Sequence, residues 1–237
     1  AQMMFNSPPG LSDAMDLAKM LACLEMTASL ARPNPPAPFP GREGGVSPPR
    51  SGEGSGEGFR IWRQTRTGLL SYPLDQDAAR AHLASSVYLQ MALRPHILHV
   101  VGHTEAHHAA TDDDVIEACK LARRAVENAL RGQPDMTADP AVQQRKEELI
   151  REAQVTLEAI RALADLDTTD PFTDPVTLAR AVTTGILDAP HLRNNPFARG
   201  QIVTRTDPRG ACVAADPATG QALSEEERIA GLGIRPG

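Results

Sequence analysis

The chain has 237 residues, a formal net charge of −6 and only 3% aromatic residues. That length accommodates one large domain or a domain with an appendage, and the core must rest on Leu, Val, Ile, Met and Ala. The acidic balance argues against nucleic acid or an anionic membrane as partner. No run nears the ~18 to 20 apolar residues of a membrane helix, and residues 1–7 lack the basic start and apolar core of a signal peptide. Cys23, Cys119 and Cys212 are odd in number and far apart, the pattern of buried thiols in a reducing cytosol rather than of a disulfide frame. A soluble cytoplasmic protein is expected.

In chain order, Met3-Met4-Phe5 reads as the tail of a strand already in progress, so a fragment lacking its N-terminal part is expected. Ser12 is a natural N-cap, and Leu17, Met20, Leu21, Leu24 and Met26 give the following helix, to about Leu30, a buried stripe. Between Arg32 and Gly58, 14 of 27 residues are Pro or Gly. Such a segment cannot bury enough apolar surface to offset its ordering entropy and reads as a disordered, inert insertion at 32–58. Phe59 to Arg66 alternates as a strand does. Asp75 caps a helix with the stripe Leu83, Val87, Met91 and Leu93, and Ile97 to Val101 is a strand apolar enough to be covered on both faces. Thr111 with Asp114 is a capping-box pattern opening a helix with Val115, Ile116, Cys119, Ala122, Val126 and Leu130 on its apolar side.

Alternation of strands and helices predicts a parallel sheet. Later segments differ in character. Asp139-Pro140 opens a long helix through about Leu163, a shorter one spans Pro175 to Leu187, and Ser224 caps a last short helix. Ile202 to Thr206 and Ala211 to Ala215 flank the turn Asp207-Pro-Arg-Gly210 as a β-hairpin. The fold class is therefore α/β, with residues 1–131 as a partial (β/α) barrel and 132–237 as a small α+β appendage. A closed barrel needs eight strands and ~250 residues. Two clear strands and the end of a third would leave open edges, so another segment must supply the rest.

Chemistry concentrates between His96 and Thr111. His103, His107 and His108 invite a metal site with Glu105, but no HExxH or CxxC pattern supports zinc, and solvated loop imidazoles are the simpler reading. His99 shares a strand face with Ile97 and Val101 and is expected to pack inward with one hydrogen bond. Glu105, just beyond a strand, is placed to accept two ribose hydroxyl bonds, or else is an exposed loop charge. Asp112 to Asp114 read as acidic residues favoured at a helix N-terminus. No metal ligand and no catalytic residue is assigned. Phosphate-loop and dinucleotide fingerprints are absent. Asp188-Ala-Pro-His191 lacks the Asp-x-His-x-x-Gly spacing that supplies an axial histidine to cobalamin.

Taken together, these residues resemble the large (epsilon) subunit of methylaspartate mutase, the adenosylcobalamin-dependent glutamate mutase, over the C-terminal half of that subunit. The resemblance runs from Asp16 to Leu232, interrupted by the Pro/Gly insertion. Asp16-Leu-Ala and Cys23-Leu-Glu-Met-Thr are similar to the family's Asp-Ile-Ala and Cys-Leu-Glu, Tyr72-Pro-Leu-Asp75 to its Phe-Pro-Gln-Asp, and Thr104-Glu-Ala to its His-Glu-Ala. Gly132-Gln-Pro-Asp-Met, Ala181-Val-Thr-Thr-Gly-Ile-Leu-Asp188 and Gly210-Ala-Cys-Val fit the family's C-terminal region.

The resemblance implies a TIM-type (β/α)8 barrel capping the upper face of adenosylcobalamin. It implies an isomerase interconverting L-glutamate and 3-methylaspartate by a radical mechanism, inactive as this fragment alone. Positions Tyr72, Glu105 and Ala109 would contact the coenzyme, Glu105 holding the adenosyl ribose. Implied partners are a small cobalamin-binding subunit that brings the lower axial histidine, the N-terminal half of the barrel, and an L-glutamate-like substrate, in a hetero-oligomer. Val101 stands where the family carries a coenzyme-contacting lysine, and valine has neither donor nor charge. A non-catalytic remnant or diverged cobalamin-binding subunit is the alternative.

Overall fold

A computed structural model describes residues 2–6, 10–28 and 61–233. The chain forms two compact units, one of Ala1–Pro9 and Asp16–Gln143, the other of Gly10–Met15 and Gln144–Gly237. The expected insertion at 32–58 lies outside the described residues. No described helix is long and apolar enough to cross a membrane.

In the first unit, β1 (Gln2–Asn6), β2 (Trp62–Arg66) and β3 (Ile97–His99) form a parallel sheet in that order. Helix α1 (Asp13–Thr27) lies between β1 and β2 in the chain, α2 (Gln76–Gln90) between β2 and β3, and α3 (Asp112–Gly132) follows β3. This is an α/β arrangement of successive strand–helix steps. Phe5, Thr65 and Leu98 share one register row, and Met4, Gln64 and Ile97 the next. Side chains alternate across a sheet. Phe5 and Thr65 are accordingly buried, and Leu98 packs with α2 and α3, whereas on the other row Met4 and Ile97 are 44% and 43% exposed and only Gln64, on the central strand, is buried. The expectation that β3 is covered on both faces fails at Ile97 and His99, both exposed, because the helices pack on the Leu98 side.

Local chemistry explains the helix starts. The Asp75 carboxylate accepts from the Ala78 amide at 2.8 Å, and Thr111 and Asp114 complete a reciprocal capping box. Leu83, Val87, Met91 and Leu93 are buried as their spacing predicts. The inner face of α3 is different from the expected stripe. Ala118, Ala122, Ala125 and Ala129 are buried, while Val115, Ile116 and Leu130 are 50%, 51% and 48% exposed. Small side chains let the α3 backbone approach the large Leu83 and Val87 of α2, so close packing outweighs the larger apolar residues beside it. The three cysteines, expected to be buried, are exposed free thiols; Cys119 goes outward with Val115 and Ile116 when the alanines turn in.

Two further ties fix the sheet. The Arg63 amide donates to His96 Nδ1 at 3.1 Å, and the His96 amide donates to the Arg63 carbonyl at 2.9 Å. The buried Gln90 amide of α2 donates to the Arg66 carbonyl at 2.8 Å, clamping the end of β2.

The second unit holds most of α4 (Pro140–Arg161), α5 (Pro175–Thr184), the antiparallel pair β4 (Val203–Thr206) and β5 (Cys212–Ala215), and α6 (Glu225–Gly231). Ala159, Ile160, Ala181, Ile186 and Ile229 make its core. After α5, one carboxylate organises the return of the chain. Asp188 Oδ1 accepts from the amides of Ala189 and Gly200 at 2.9 Å each, and Oδ2 from Gln201 at 2.8 Å and Ile202 at 3.1 Å. At Gly200, φ is +59° and an added Cβ would lie 2.5 Å from the Leu192 carbonyl oxygen, so only glycine fits. The hairpin turn at Gly210 receives Ser12, whose hydroxyl donates to the Arg209 carbonyl at 2.7 Å and whose amide donates to the Gly210 carbonyl at 3.0 Å.

Candidate functional site

The carboxyl ends of β2 and β3 open at the same end of the sheet, since the strands are parallel. After β3 the chain turns tightly. The Glu105 amide donates to the Gly102 carbonyl at 3.3 Å, and the amides of His107 and His108 donate to the Thr104 carbonyl at 2.8 and 2.9 Å. This winding sends successive side chains to different environments. His103 and Thr104 are each 2% exposed, whereas Glu105, His107, His108 and Ala109 are exposed.

Tyr72, on the loop after β2, is 7% exposed and packs with Leu83, Val87 and Val101. Its hydroxyl donates to the Val101 carbonyl at 3.2 Å, and its ring meets His82 edge-on at 5.4 Å. Burial, reinforced by the negative charge of Glu105, pushes the phenol up to about 12. Tyr72 and Glu105 are thus brought into electrostatic reach. Ala109 sits on the exposed stretch leading to the Thr111 cap.

The histidines divide. His107 and His108 are exposed, linked Nδ1 to Nδ1 at 2.8 Å, and His108 Nε2 lies 3.1 Å from Asp114 Oδ2. His99 is exposed, with Gln64 Nε2 at 3.4 Å from its Nδ1; it gains the single hydrogen bond expected but not the burial. His103, expected as a solvated loop imidazole, is instead buried, and neither ring nitrogen makes a hydrogen bond. Its Nε2 faces Glu117 Oε2 at 3.4 Å.

Glu117 carried no weight in the sequence reading. Its Oε1 accepts from Arg80 Nε at 2.8 Å and its Oε2 from Nη2 at 3.3 Å, while Arg80 Nη1 also reaches Asp77 at 3.1 Å. These bonds from Arg80, with its positive charge, hold the Glu117 carboxyl below its ordinary range. Asp114 Oδ2 accepts from the Thr111 hydroxyl at 2.7 Å and the Thr111 amide at 2.9 Å, and those bonds pull its carboxyl down to about 2. The sequence signal was present: Asp114 and Glu117 are three apart on a capped helix, hence on one face, one turn beyond a strand exit bearing histidine.

Compared with protein-family models and with curated proteins, the chain matches none.

Proposed function

We propose that this chain is part of an adenosylcobalamin-dependent carbon-skeleton mutase of the methylaspartate mutase type, contributing the last strands of a (β/α)8 barrel and part of the coenzyme seat. The observation that carries the reading is the run of three strand–helix steps in a parallel sheet of order β1-β2-β3, with the Tyr72 and Glu105 loops at its carboxyl end. Barrel enzymes gather their working residues on loops at that end. The edge strands β1 and β3 leave backbone groups for further strands, a role the resemblance gives to the N-terminal half of the family's subunit.

The residues fit the coenzyme unevenly. Glu105 is an exposed carboxylate at the strand exit, suited to accept ribose hydroxyls. Tyr72 keeps the family's aromatic character but has its ring buried and its hydroxyl engaged, so its part is to hold the loop after β2 against the exit of β3. Ala109 offers only a small exposed surface. When bound, the coenzyme supplies the radical that abstracts hydrogen from substrate. Substrate-gripping arginines, the base and the lower axial histidine belong, on the resemblance, to the N-terminal half and the small subunit. An L-glutamate-like substrate follows on the same ground.

One observation favours a second reading, a diverged cobalamin-binding subunit without catalysis. Val101 is 5% exposed within the apolar cluster of Tyr72, Leu83 and Ala122, where the family has lysine.

Reconstitution with the N-terminal half and the small subunit separates the two readings. Conversion of L-glutamate to 3-methylaspartate supports the mutase, coenzyme binding without turnover supports the binding subunit, and absence of coenzyme binding overturns both. In the assembled protein, Glu105→Ala weakens adenosylcobalamin binding by about 1.5 to 3 kcal/mol, the scale of hydrogen bonds to a charged group. Unchanged affinity removes Glu105 from the site.

A further inference from the structure

His103 poses a physical problem. Its side chain is fully inaccessible, yet both ring nitrogens lack a hydrogen bond. Nε2 meets only the Glu117 carboxylate, at 3.4 Å, and Nδ1 makes no hydrogen bond; a buried polar group without a hydrogen bond is destabilising by roughly 1 to 3 kcal/mol and calls for a specific explanation, a bound ion among them. The surroundings supply one. One ligand atom each from His103, Asp114 and Glu117 lies within 4.8 Å of the others.

We propose that His103, Asp114 and Glu117 form a binding site for one divalent transition-metal ion, zinc fitting the donor set best. The one separation between ligand atoms that is fixed agrees with coordination chemistry, and a small side-chain adjustment would bring Asp114, within 4.8 Å of both, into the same shell. Ligand atoms at ~2.0 to 2.2 Å from a tetrahedral zinc stand roughly 3.3 to 3.6 Å apart, and His103 Nε2 to Glu117 Oε2 is 3.4 Å. An imidazole with two carboxylates suits zinc better than magnesium, which prefers all-oxygen octahedral shells and retains its waters. Three protein ligands leave a fourth position for water or a small ligand.

The groups around the two carboxylates behave as an outer layer should. Arg80 orients the Glu117 carboxylate through two hydrogen bonds. Thr111 and His108 hold Asp114 through Oδ2. Such outer partners fix ligand geometry and commonly matter 10- to 100-fold in metal affinity. The positive end of α3 and the guanidinium of Arg80 oppose a cation, and the aspartates 112–114 in the first turn of that helix, with Asp77, offset them.

The test is a zinc titration of the whole chain, stripped with chelator, in competition with a chromophoric chelator. One zinc per chain is expected, and His103→Gln and Glu117→Gln are each expected to weaken it more than ~10-fold, at least matching the loss of an outer partner. Glu117 is 41% exposed at its side chain, so its variant leaves the core intact even if the His103 variant perturbs folding. His107→Gln controls for capture by the surface imidazole pair and is expected to leave affinity unchanged. The proposal is overturned if the chain binds no zinc, if both ligand variants bind as the parent does, or if His107→Gln alone abolishes binding.

Discussion

Replacing Asp188 by Asn tests how much one carboxylate organises the second unit. The two side chains have nearly the same shape, so packing is conserved and only the acceptor count changes. Asp188 takes four amide hydrogens, two on each oxygen. Asparagine keeps one acceptor oxygen, serving one pair, and turns an NH2 group toward the other two amides. Two charge-assisted bonds are lost, each about 1.5 to 3 kcal/mol before relaxation. Because the site is partly open, water recovers a share, and the expected loss is about 2 to 4 kcal/mol. Urea unfolding gives the stability change, and amide hydrogen exchange at Gly200, Gln201 and Ile202 localises it. A change under about 0.5 kcal/mol, within the ordinary range of a surface substitution, together with unaltered exchange would refute the reasoning. Acid supplies an independent arm. Burial pushes the Asp188 carboxyl up, but its amide bonds outweigh that and leave it below the usual value. Its stabilisation is therefore present above the unfolded value of ~3.9 and lost as pH falls through the lower folded value. The Asn variant should lack this component.

Two other outcomes follow from the first unit. Ala122→Leu should destabilise it by about 1 to 3 kcal/mol through overpacking of the α2–α3 seam, since Ala122 is 2% exposed; an unchanged denaturation midpoint would show that the alanine stripe is not a close contact. His96 accepts from the Arg63 amide as a neutral ring, and burial, with the charge of Arg63, lowers its folded pKa. Its contribution is present above the unfolded value of ~6.5 and lost as pH falls toward the folded one. Stability measured across pH 7 to 5 should decline, and His96→Asn should flatten that slope.

Much of the local structure was readable because its causes are local. Asp75, Thr111 and Ser224 cap helices through amides three residues away, and Asp207-Pro-Arg-Gly210 turns the hairpin by its own backbone preferences. The stripe of α3 was misread because periodicity identifies two overlapping faces and hydrophobicity chooses the bulkier one. The partner helix decided for the alanines. His103 was misread for a related reason, since its burial depends on a turn that sends adjacent residues to opposite environments. Asp114 was legible as a cap, yet its second relation, to His103 across the strand exit, needs the tertiary fold. Glu105 is where a strand-end carboxylate should be, exposed at the sheet's carboxyl end.

The seating of Ser12 against the hairpin turn also constrains the order of assembly. Gly210 has a φ of +82°, and a Cβ there would stand 2.6 Å from that of Ser12, so the turn closes around this one residue. The Ser12 hydroxyl bond spans 197 positions of sequence. During synthesis, residues 10–15 leave the ribosome long before the hairpin exists and must wait for it. The second unit is therefore not a transferable tail. A truncation beginning at Gln144 would keep the hairpin but lose the early segment on which its turn rests.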